Sequence, residues 1–124
     1  MIVYNLTMQV DWSIADDWLN WQKAEHIPQI LRTHLFEDCK IYRLLEQDDQ
    51  QGPTYTVQFL TSSEENYRKY LAEFAPLIRQ KAFARWGDKF IAHRTLIGTC
   101  ALIVEKNKKK AGEPKNCVTF PSNP

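Results

Sequence analysis

His26 is the residue of this 124-residue chain best suited to chemistry, and it closes the segment W-L-N-W-Q-K-A-E-H before I-P. Imidazole titrates near neutral pH and can serve as base, acid or ligand. A histidine near a helix C-terminus can equally be a cap held by the helix dipole. Trp18 and Trp21 lie one helical turn apart upstream, suited either to anchoring the helix in a core or to flanking a ligand. Arg43 and Arg94 each place a charge inside an otherwise apolar strand. Pointing inward, a guanidinium holds a carboxylate or phosphate in a fork; pointing outward, it pairs across strands or meets water.

A second group is polar and uncharged. Asn5 and Thr7 alternate with apolar residues in I-V-Y-N-L-T-M-Q-V, as Thr56 and Gln58 do in T-Y-T-V-Q-F-L-T. Open solvent usually draws Lys or Glu to a sheet face, so these four suggest a lined cavity, or else an ordinary wet face. The candidate ligand-binding set is therefore Asn5, Thr7, Trp21, His26, Arg43, Thr56, Gln58 and Arg94, with His26 the candidate catalytic base.

Much chemistry is excluded by what the motifs lack. The chain has no Gly-rich phosphate loop, no H-E-x-x-H and no C-x-x-C. His26, His34 and His93 are too scattered to assign a metal, and no cofactor is assigned. Cys39, Cys100 and Cys117 are odd in number and widely spaced, which fits reduced thiols in a cytoplasm. A net charge of +1 indicates neither a nucleic-acid partner nor a strongly acidic ligand. No apolar run is long enough to cross a bilayer, and the N-terminus does not read as a signal peptide.

The elements that must position these residues follow from periodicity. Residues 2–10 alternate as a strand, with Tyr4, Leu6 and Met8 on its apolar side. Ser13 followed by Asp16 resembles a capping box and starts a helix carrying Ile14, Trp18 and Trp21 on one stripe. His26 falls about 80° round from Trp18 on a regular helix. Ile27 precedes Pro28, so a bend or restart is expected there. Residues 36–46 read as a second strand, 47–52 as a hairpin loop and 54–61 as a third strand. Ser62 with Glu65 caps a second helix, kinked but not divided by Pro76 and ended at Gly87. Residues 90–100 form the fourth strand, though the parity of Arg94 is ambiguous there. From 105 to 124 periodicity stops in K-N-K-K-K-A-G-E-P-K-N and beyond, so the expected division is a domain at 1–104 and a basic tail at 105–124.

Strand, helix, strand, strand, helix, strand is the order of the α+β ferredoxin-like βαββαβ fold with a four-stranded antiparallel sheet. Both helices then cover one sheet face. The other, uncovered and uncharged, invites a second copy, which gives a dimeric α+β barrel.

The stretches M-I-V-Y-N-L-T, W-x-x-W-x-x-x-x-H-I-P, Y-R-L-L at 42–45, T-Y-T-V-Q-F-L at 54–60 and H-R-T-L at 93–96 resemble a bacterial family without assigned function, domain of unknown function 4286. The resemblance covers about residues 1–100 and implies a ferredoxin-like, dimeric-barrel domain with no established activity to carry over. The H-I-P turn is also similar to the H-x-P of stress-response and EthD-like barrels. Haem-degrading relatives in that superfamily use a histidine on the second helix, and this one has none. Three functions remain open: a small-molecule-binding homodimer without catalysis, a cofactor-independent oxygenase or isomerase using His26 as base, and a protein-interaction module.

Overall fold

The computed structural model describes residues 1–98 and Cys100. The expected tail at 105–124, and the boundary at 104, lie outside the described residues. Four strands, β1 (Ile2–Val10), β2 (Asp38–Arg43), β3 (Thr54–Thr61) and β4 (Phe90–Gly98), form one antiparallel sheet in the order β2-β3-β1-β4. This is the ferredoxin-like arrangement of the dimeric α+β barrel group, with β1 at the centre beside β3 and β4. Its register sets Tyr4 opposite Phe59 and Leu96, and Leu6 opposite Val57 and Arg94. Side chains alternate sides along a strand, so that register assigns each residue to the covered or the open face.

The helical layer departs from expectation at both of its expected N-caps, whereas its last helix ends at Gly87 as expected. The first helix is entered through a 3-10 turn, Trp12–Ile14, capped by Asp11 rather than Ser13. The Asp11 carboxylate accepts from the Ser13 backbone N–H at 2.8 Å and from its hydroxyl at 2.6 Å, which leaves Ser13 a donor here. Helix α1 (Ala15–Trp21) then passes through a π turn, Gln22–His26, into α2 (Ile27–Leu31) without a break. Ile27 keeps helical angles (φ −62°, ψ −46°) despite preceding proline, and its N–H reaches the Gln22 carbonyl five residues back. The wider turn absorbs the proline that would otherwise end the helix.

Helix α3 (Glu64–Glu73) is capped one residue later than expected, by Ser63, whose hydroxyl accepts from the Asn66 N–H at 3.0 Å. Pro76 divides the second helical segment rather than kinking it. Phe74 leaves helical geometry (φ −120°, ψ −37°), and α4 (Ala75–Trp86) starts anew with proline in its first turn. A missing N–H costs nothing in a first turn, where N–H groups have no intrahelical partner.

Tyr4 is the hub of the core. Its ring packs against Phe36, Phe59, Tyr67 and Tyr70 at centroid distances of 5.9, 6.1, 5.4 and 5.8 Å. This cluster fills the space under α3. The β2–β3 connection is pinned to the end of β1: a Cβ on Gly52 would stand 1.6 Å from the Val10 carbonyl oxygen, so only glycine fits. Packing is thus dense on one side of Tyr4 and open on the other.

Candidate functional site

Between the helical layer and the β1–β4 half of the sheet lies a cavity of about 330 Å³. Each element contributes at its own period. Tyr4, Leu6 and Met8 come from β1 and Phe90, Ala92 and Arg94 from β4, every second residue in each case. Trp18, Gln22, His26 and Ile30 come from the first helical segment, every fourth residue. On a regular α-helix, every-fourth positions drift by about 40° per step. A π turn winds less per residue and offsets that drift, so His26 comes to line the same space as Trp18.

The site is mostly apolar, with polar groups at its inner wall and cations at its rim. Gln22 is 2% exposed and His26 9% exposed. Gln22 Oε1 and His26 Nδ1 are both buried with no hydrogen-bond partner among the described residues. The His26 ring stacks on Trp21 (centroids 4.5 Å apart, planes 28° apart), and Trp21 meets Trp86 edge-on at 5.7 Å. Trp21 thus backs the imidazole from behind and does not line the cavity. Trp18 is fixed by stacking on Tyr55 at 5.3 Å. Burial holds the His26 imidazole to a pKa of about 4, because charging it away from water is costly. The ring is therefore neutral at pH 7 and free to accept or donate one proton in a hydrogen bond.

Arg94 pairs opposite Leu6 and so takes the covered side of β4, with its side chain at the exposed rim of the cavity. Arg79 reaches the same rim from α4. Both charges act on the Tyr67 phenol, lowering a pKa that burial raises. Neither arginine forms an ion pair among the described residues, where the pairs are Arg43–Asp49 and Arg68–Glu64. Among the described residues no acidic side chain lines the cavity.

The remaining sequence candidates lie elsewhere. Asn5, Thr7, Thr56 and Gln58 occupy the open face, side by side through the β1–β3 register. Thr56 donates to Asn5 Oδ1 at 2.5 Å, and Asn5 Nδ2 donates to Thr7 at 3.2 Å. Arg43 stands at the far edge of the sheet, 3.3 Å from Asp49 and over the Trp12 ring at 5.8 Å. His26 and Arg94 are thus brought together, and the other six are not in that cavity. Sequence reasoning missed Gln22, Arg79 and Tyr70. Gln22 was discoverable as the polar residue four before His26, on the same side of the helix. Arg79, on an amphipathic helix, carried no distinguishing signal.

Comparison with known proteins settles the family. A family model described as a domain of unknown function, DUF4286, matches residues 1–100. The chain belongs to the DUF4286 family. No functionally curated protein matches it. Among solved structures it is similar to a variant of SnoaB, a cofactor-independent oxygenase from Streptomyces nogalater, at 14% identity and TM-score 0.61, covering 84% of this chain and 97% of that one. It is also similar to the Arabidopsis thaliana protein At3g17210 (11% identity, TM-score 0.60, 84% and 100% covered). An EthD-family protein from Bacillus halodurans follows at 10% identity and TM-score 0.56, with 81% and 100% covered. At these identities the likeness is one of fold. Among the described residues no helix is long and apolar enough to cross a membrane, and no cluster of three or more His, Cys, Asp or Glu is placed to hold a metal ion.

Proposed function

We propose that this DUF4286 protein binds a small molecule in the cavity between its helices and the β1–β4 half of the sheet. The observation that carries the reading is the apolar cavity of about 330 Å³ itself, with Arg94 and Arg79 at its rim and free of ion pairs among the described residues. The test is native mass spectrometry of freshly purified protein beside an Ala82→Phe variant, since Ala82 lines the cavity and a phenyl ring fills it. The wild type is expected to carry a ligand mass that the folded variant lacks. Equal ligand occupancy in both would place the ligand elsewhere.

The same reading takes the protein as a cytoplasmic homodimer joined through its open sheet face. Tyr42 and Ile91 support this, standing on that face 49% and 60% exposed. Light scattering is expected to give twice the chain mass, and a monomer at micromolar concentration would exclude the interface.

A second reading, a cofactor-independent oxygenase or isomerase, is favoured by a neutral imidazole facing an apolar cavity. His26 is then the general base. Its low basicity restricts it to substrates whose own proton is acidic. The interaction-module reading has less support, because the residues with unmet hydrogen-bonding capacity face inward.

A further inference from the structure

We infer that the ligand of this cavity is an amphipathic anion, with an apolar body inside the cavity and a single oxyanion head, a carboxylate or phosphate monoester, at the Arg94–Arg79 rim. This rests on the cavity being the binding site. It adds the ligand's chemical class and its direction of entry.

The rim defines the head. Arg94 comes to it from the edge strand β4 and Arg79 from α4, and the charges of both reach the same Tyr67 phenol. Other arginines of the chain are matched: Arg43 by Asp49, Arg68 by Glu64, and Arg85 by the Trp86 ring. Arg94 and Arg79 form no ion pair among the described residues, and no aspartate or glutamate lines the cavity there. Two unmatched guanidinium groups at one mouth favour an anion that ends between them. Their paired N–H groups fit the oxygens of a carboxylate or a phosphate. Both side chains are exposed, so the head keeps part of its hydration and avoids the full cost of burial.

The wall behind the rim defines the body. Leu6 and Met8 from β1, Phe90 from β4, Trp18 from α1, and Ile78 and Ala82 from α4 line it. Burial keeps His26 neutral, so among the described residues the two arginines carry the charge of the lining. The cavity of about 330 Å³ holds roughly ten groups the size of a water molecule, at ~30 Å³ each, so a body of about eight carbons fits. A small anion would meet the arginines and leave the apolar wall unfilled. An uncharged apolar molecule would fill the wall and leave the arginines without a counter-charge. Inserted head first, the ligand would bury its charge among apolar side chains, which is costly. The body therefore enters first and the head stays at the mouth.

Calorimetric titration with octanoate, octyl phosphate and octanol varies the head on one body, and hexanoate shortens that body. The tighter of the two eight-carbon anions identifies the head group. It is expected to bind roughly tenfold tighter than octanol, and Arg94→Gln to erase that ratio. Octanoate is expected to bind roughly tenfold tighter than hexanoate, because two more methylenes leave water. Ala82→Phe, whose ring takes the place of the body, is expected to abolish binding of all four compounds. Near-ultraviolet circular dichroism establishes that each variant is folded, and Arg79→Gln provides a second rim variant should Arg94→Gln misfold. Octanol equal to both anions, a ratio that survives both rim variants, hexanoate equal to octanoate, or no binding by any of the four would overturn the assigned class. If the anions and octanol bind equally and Ala82→Phe abolishes them all, the cavity remains the site and only the class falls. If Ala82→Phe leaves every affinity unchanged, the cavity reading falls with it.

Discussion

On the open face of the sheet, Thr56 donates to Asn5 and Asn5 donates in turn to Thr7, so three of the four polar residues that drew attention in the sequence pair with one another. Beneath the helices on the other face, Gln22 Oε1 and His26 Nδ1 are buried and have no hydrogen-bond partner among the described residues. Similar residue types thus have opposite consequences. A chain of paired polar groups stabilises a sheet and asks nothing of a ligand, whereas a buried acceptor without a donor is a standing cost to the fold. The contrast separates a face whose polar groups are paired from one that encloses an apolar cavity.

The largest test of this contrast removes the covered face's packing. Trp18 is fully buried and stacks on Tyr55, so Trp18→Ala is expected to lower unfolding free energy by about 3–5 kcal/mol in chemical denaturation and to abolish ligand binding. A loss within 1 kcal/mol would mean that the helix is not anchored through this ring.

Acid offers a smaller handle on the same face. The unfolded chain takes up a proton at His26 near pH 6.5, while the folded chain resists it down to about 4. Stability is therefore full above about pH 6.5 and falls between there and 4, by about 3 kcal/mol in all. His26→Gln is expected to remove this component from a denaturation series across that range. An unchanged slope would show that the imidazole is not desolvated.

The smallest expected effect belongs to the open face. Thr56→Val deprives Asn5 Oδ1 of its donor and is expected to cost about 1–2 kcal/mol while leaving ligand affinity as in the wild type. A ligand-affinity change of tenfold in Thr56→Val would collapse the distinction between the faces.

Strand patterns carried most of the fold. Clean alternation in residues 2–10 and 54–61 is observed as β1 and β3 with those bounds, because period two commits one side of a strand to the core. Helix ends were less legible. Ser13 and Ser62 had the composition of caps, but the hydrogen bonds go to Asp11 and Ser63. Polar residues one or two positions apart can each accept from the first turn, and the chain's approach decides between them. The His-Ile-Pro motif marked an irregular helix correctly but not its outcome, since proline can be met by a break or by a widened turn.

From the sequence alone come the element order, the antiparallel ferredoxin-like sheet and the family to which the chain belongs, since these depend on local periodicity and on residues adjacent in the chain. The cavity was decided only by tertiary structure. The parity of Arg94 is ambiguous along β4 and is resolved by its pairing opposite Leu6. The alignment of Gln22 and His26 with Trp18 depends on a π turn, and the arrival of Arg79 at the same rim depends on how α4 packs over the sheet. Each is a relation between elements distant in the chain, and local residue preference does not encode the angle at which two elements meet.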